Sequence, residues 1–90
     1  MEIKEGNLVI SKCGRDKNIF FVVVKIMDDY VFLCDGDVRK VEKPKKKKIK
    51  HIQITSKFSK YVNECIKEGK LLTNKELQNE ICKFVKEDLR

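Results

Sequence analysis

Apolar residues come in short dense clusters through the first half of the chain and at helical spacing through the second. Leu8-Val9-Ile10 follows Gly6, and a polar loop, Cys13 to Asn18, separates it from Ile19-Phe20-Phe21-Val22-Val23-Val24-Lys25-Ile26. That second cluster is rich in β-branched and aromatic side chains, which suit a pleated, packed surface. Asp28-Asp29 turns the chain into a third cluster, Tyr30-Val31-Phe32-Leu33-Cys34. Asp35-Gly36 then reads as a two-residue hairpin turn, because both central positions of such a turn need positive φ. This predicts a short fourth strand over 37–41. Beyond Pro44 and a lysine run, Ile49, His51 and Gln53 alternate with Lys50, Ile52 and Ile54, predicting a fifth, edge-like strand.

Five short strands with tight turns in about fifty residues predict a small barrel. The unbroken apolar runs require cover on both faces, and the second half supplies it. Phe58, Val62, Cys65 and Ile66 share one face of a helix predicted over 57–68, and Gly69 sits where a left-handed C-cap belongs. Leu77, Ile81, Phe84 and Val85 repeat the pattern in a helix over 74–88, introduced by Thr73 and Glu76 in capping-box spacing. Both helices are too short to persist alone, so their apolar stripes must pack on each other or on the barrel. The expected architecture is mostly β with an α tail: a five-stranded barrel over 1–55 and a helical hairpin over 56–90.

Charge adds a second layer. The segment Arg39 to His51 holds eight Lys/Arg and one Glu, and its +7 equals the net charge of the whole 90-residue chain. Such a block repels itself unless a polyanion neutralises it, and nucleic acid is the usual polyanion because each neutralised phosphate releases a counterion. Tetralysine, Lys45 to Lys48, lacks planar recognition groups, so it should contribute affinity rather than sequence choice. Pro44 favours an extended entry that would hold these lysines away from the barrel. Aromatic residues are few and lie in the apolar runs, which favours recognition of folded RNA by shape and phosphate over base stacking.

Other chemistries find little support. Cys13, Cys34, Cys65 and Cys82 are 21, 31 and 17 positions apart in turn, without the close pairs of a zinc site. Reduced, buried thiols are expected, with no metal and no cofactor. His51 is the sole histidine, no phosphate-cradling loop is present, and no nucleophile stands out, so no enzyme is expected. The longest apolar run, Ile19 to Val24, is far too short for a membrane span, and a cytoplasmic protein is expected.

The stretch Gly6 to Val23, with its basic glycine-containing loop Lys12-Cys13-Gly14-Arg15-Asp16-Lys17-Asn18 between two strands, resembles a KOW motif, found in ribosomal proteins and transcription factors. Its continuation through Gly36, a basic linker and Ile49-Lys50-His51-Ile52 is similar to the fourteen-e, six-e and twenty-seven-e group of large-subunit ribosomal proteins, and more so to small bacterial KOW-domain relatives. The resemblance covers residues 6–54, with a weaker likeness in the helical tail. It implies a five-stranded SH3-like (KOW) β-barrel that is not an enzyme and binds structured RNA, in particular ribosomal RNA of the large subunit, with ribosomal proteins as further partners. By position, Gly14 is the motif glycine and Arg15, Asp16 and Lys17 flank it. Where the motif has a second glycine this chain has Asn18, a residue that tolerates the left-handed conformation.

The candidate RNA-binding residues are therefore Lys12, Gly14, Arg15 and Lys17 in the loop, and Arg39, Lys40, Lys43, Lys45, Lys46, Lys47, Lys48, Lys50 and His51 in the linker. Arg15 carries the best fork for a phosphate or a base, and Asp16 is expected to orient it or to bond its own loop. A monomer is expected in the free state. The rival class is a protein-interaction module, with the barrel and helical hairpin docking on a ribosome or transcription factor.

Overall fold

The computed structural model describes residues 2–88, so the last two residues of the predicted tail lie outside the described residues. Five antiparallel strands, β1 (Asn7–Ser11), β2 (Phe20–Met27), β3 (Tyr30–Cys34), β4 (Lys45–Lys48) and β5 (Ile52–Phe58), form one sheet in the order β4-β3-β2-β1-β5. A 3₁₀ turn, Ile49–His51, joins the two edge strands, and helices α1 (Lys60–Lys67) and α2 (Asn74–Asp88) follow.

Alternation along the strands sends side chains to two separate cores. Val9, Phe21, Val23, Val31, Leu33 and Ile52 fill one face of the sheet. Leu8, Val22 and Cys34 point to the other, where Val62 of α1 and Leu77 of α2 bury them. The long apolar run of β2 is thus explained by cover on both sides, as the sequence required. The helices meet the sheet rather than mainly each other, and polar contacts also tie them together: Ser59 Oγ donates to Glu80 Oε1 at 2.6 Å, and Tyr61 bonds Glu76.

The sheet is strongly curled. In a flat sheet three strand spacings would hold β4 about 14 Å from β1, yet Lys47 Nζ on β4 lies 2.6 Å from Ser11 Oγ on β1. A lysine and a serine side chain cannot close such a gap between them. The edges β4 and β5 are not paired with each other; the 3₁₀ turn bridges them, with Ile49 N donating to Asp29 O at 2.8 Å and Lys12 N to His51 O at 2.9 Å.

Three expected elements differ: the fourth strand, the start of the first helix, and the fifth strand, which begins at Ile52 because Ile49–His51 form a 3₁₀ turn instead of extended chain. Residues 37–41 form no strand: the Asp35 carboxylate accepts from the N–H groups of Asp37 and Arg39, winding the segment into a loop. The fourth strand is instead the tetralysine itself, paired with β3 as Val31↔Lys47 and Phe32↔Lys46. Pro44 does lead into extended backbone, but the lysines it introduces join the sheet instead of standing off it. The first helix begins at Lys60 rather than 57, because Phe58 still pairs with Asn7 of β1 and Ser59 takes the N-cap, accepting from Val62 N. Elsewhere the local signals hold. Thr73 and Glu76 exchange capping-box hydrogen bonds, the α1 C-terminus closes through Gly69 N to Ile66 O and Lys70 N to Cys65 O, and Asn18 adopts φ 72°.

Candidate nucleic-acid interface

The four consecutive lysines of β4 do different things because a strand alternates. Lys46 and Lys48 point outward and are exposed, whereas Lys47 points inward and is buried. Its ammonium donates to Ser11 Oγ at 2.6 Å, to Asp16 Oδ1 at 2.7 Å and to the Cys13 carbonyl at 2.8 Å, which uses all three of its protons. Lys47, expected among the RNA-contacting cations, is committed to the protein interior. Lys45 is half-buried, with Nζ 3.7 Å from Asp16 Oδ2.

Asp16 is the anchor of this cluster rather than an orienter of Arg15. Burial pushes its carboxyl up, but hydrogen bonds from Lys47 and Ser11 and the charges of Lys47 and Lys45 outweigh burial and hold it below the ordinary aspartate value. The effect is to pin the β1–β2 loop to β4. Within the loop Asn18 N bonds Ser11 O, Lys17 N bonds Gly14 O and Ile19 N bonds Asp16 O, so these N–H groups are already used. Gly14 turns the chain at φ 87°, and Lys12, Arg15 and Lys17 stand exposed around it.

The outward lysines lie in a regular array. Cross-strand registers align Lys25, Phe32 and Lys46 in one row and Met27, Tyr30 and Lys48 in the next. The Lys46 ammonium sits 4.4 Å and that of Lys48 6.0 Å from the Tyr30 ring centre, and that of Lys25 5.5 Å from Phe32. Beside Tyr30 a cleft of about 480 Å³ is lined by Asp29, Tyr30, Lys48, Ile49 and Lys50. The 3₁₀ turn carries exposed Lys50 from this cleft to the β1–β2 loop, and half-buried His51 ends it by accepting from Lys12 N.

The structure therefore brings Lys46, Lys48, Lys50 and Lys12 onto a connected rim and leaves other expected residues elsewhere. Arg39, Lys40 and Lys43 occupy the loop between β3 and β4; Lys40 and Lys43 are exposed, while Arg39 is half-buried with its Nε buried and unpartnered. Lys25, Tyr30 and Phe32 are additions. Their signal is present in the sequence, since Lys25 interrupts an apolar run and Tyr30 and Phe32 alternate with Val31 and Leu33. Apolar runs alone do not reveal how far along a strand the covering helices extend. Among the described residues no group of three His, Cys, Asp or Glu side chains is placed to hold a metal ion, and no helix is long and apolar enough to cross a membrane. The chain matches no protein-family model and no curated protein.

Proposed function

We propose that this chain is a non-catalytic, cytoplasmic RNA-binding protein of the translation apparatus, an SH3-like barrel of the KOW type that docks on ribosomal RNA. The observation that carries the reading is the 3₁₀ turn, hydrogen-bonded to Asp29 at one end and to Lys12 at the other. It joins the cations of the β1–β2 loop to those of β4 in one basic rim. The strand order, with β1 between β2 and β5 and a short turn between β4 and β5, supports the barrel assignment. Lysines on a strand give phosphate affinity without the cost of ordering backbone on binding.

The test is co-sedimentation of tagged protein with separated ribosomal subunits at low and high salt. Retention on the large subunit at high salt is expected. Release at modest salt together with equal binding to unrelated RNA would reduce the role to general RNA affinity. Absence from every RNA-containing fraction would overturn it in favour of protein docking. That second reading has its own observation: an apolar groove lined by Val24, Val41, Ile66, Leu71 and Leu72, with Leu71 93% exposed.

A further inference from the structure

We infer that the open end of the sheet's outer face, Tyr30 and Phe32 framed by Lys25, Lys46 and Lys48, is a stacking platform for unpaired nucleotides, a deepening that rests on the RNA-binding reading. The helices cover that face only as far as Leu8, Val22, Val24 and Cys34. A register shift between Val23 and Lys25 then carries β2 past their cover, and Met27 is 43% exposed. Beyond this point the face is formed by the two aromatic residues of β3, with Lys46 and Lys48 of β4 on one side and Lys25 and Met27 of β2 on the other.

Three features identify the ligand. Exposed ammonium groups reach the faces of both aromatic rings, so these faces are not sealed into the core. Lys25, Lys46, Lys48 and Lys50 form no ion pair with a carboxylate among the described residues, leaving their charge for an external anion; Asp29 is the one acidic residue lining the cleft. Finally, Tyr30 and Phe32 are two residues apart on one strand, about 6.6 Å. Nucleotides stacked in a helix advance about 3.4 Å each. Two rings at twice that spacing match bases splayed from an unpaired strand, whose π faces are free and whose phosphates can meet the flanking lysines. The cleft between Tyr30, Lys48 and Lys50 is where the next nucleotide would sit.

The test is fluorescence anisotropy with three labelled probes: a short oligoadenylate, an abasic strand of the same length, and an RNA duplex. The wild type should prefer oligoadenylate over the abasic strand by at least about fivefold, the lower limit for stacking one base. Tyr30→Leu with Phe32→Leu keeps apolar volume while removing the rings; it should abolish that preference and leave abasic binding unchanged. Equal wild-type affinity for oligoadenylate and abasic strand would overturn the platform. If the double variant fails to fold by circular dichroism, Tyr61→Phe leaves Tyr30 as the sole tyrosine of a chain with two and no tryptophan. Its fluorescence should be quenched by oligoadenylate and not by the abasic strand, and identical responses would overturn the proposal. Duplex binding without base dependence removes this inference alone, whereas no binding to any probe removes the parent reading as well.

Discussion

The Lys47 ammonium lies 2.7 Å from the Asp16 carboxylate, across 31 residues of chain, and both side chains are almost fully withdrawn from water. Such a pair is costly to bury, and it is tolerated here because Ser11 and the Cys13 carbonyl complete the lysine's hydrogen bonds. What the pair fixes is geometry. It holds the β1–β2 loop against β4, setting Arg15 and Lys17 at a defined distance from the outward lysines.

Breaking this pair should cost far more than removing its neighbours. Lys47→Met or Asp16→Asn is expected to lower stability by about 3–5 kcal/mol, because the remaining charge loses its partner. Lys46→Gln and Lys48→Gln should stay within about 0.5 kcal/mol of wild type. Asp16→Asn combined with Lys47→Met should recover part of the loss. Urea denaturation of all five variants gives the answer, and equal costs along the run would contradict the buried placement of Lys47.

The pH dependence follows from the direction of the Asp16 shift. Its folded pKa lies below the unfolded value of 3.8, so its stabilising contribution is complete above that value and disappears as pH falls through the folded pKa. The stability gap between wild type and Asp16→Asn should therefore be constant near neutrality and narrow below about pH 4. Exposed carboxylates held low, such as Glu42 and Glu76, contribute equally to both proteins and cancel in the difference. A gap that persists unchanged to lower pH would mean that Asp16 is not the titrating partner.

Gly36 marks a second close joint. A Cβ there would clash with the Asn74 carbonyl, at a backbone φ of +81°. Neither side gives way easily: Gln78 Nε2 donates to Gly36 O at 2.6 Å, and Asn74 Oδ1 accepts from Val41 N at 2.7 Å. Gly36→Ala should cost about 2 kcal/mol or more, lowering Tm by roughly 10 °C for a domain of this size. Gly69→Ala, at φ +71° with nothing within 4 Å, isolates the conformational part and should cost about 1 kcal/mol. Thermal melts that rank the two the other way would refute the contact between the 35–39 loop and α2.

The cysteines should separate by reactivity. Burial pushes the Cys34 thiol up to about 12, with help from Asp35 and Glu42, while Cys82 is exposed. Iodoacetamide at neutral pH should modify Cys82 first, and Cys34 only when the domain unfolds. Peptide mass spectrometry over time distinguishes them. Early labelling of Cys34 would show that the helices do not seal the second core.

Sequence pattern carried local structure well and failed where tertiary context decides. The capping box at Thr73, the Gly69 C-cap and the Asn18 turn were legible because each depends on a few adjacent residues. The fourth strand was not. Four lysines have low strand propensity, and nothing local shows that β3 offers them an unpaired edge or that Asp16 offers one of them a counter-charge. The platform residues were hidden for a related reason: Tyr30 and Phe32 read as core until the reach of α1 and α2 is known.

Alternation along β4 makes a further distinction in binding. For single-stranded RNA each phosphate contact contributes about −0.7 to the slope of log affinity against log salt. Replacing Lys46 and Lys48 together with Gln should therefore flatten the slope by about 1.4 between about 50 and 200 mM salt. Lys47→Met, measured where it remains folded, should leave the slope alone, since its three protons are spent inside the protein. Stability and salt dependence thus exchange places between adjacent lysines. Equal flattening by Lys47→Met would mean that the buried ammonium swings out to meet phosphate, and the loop it anchors would then have to move on binding RNA.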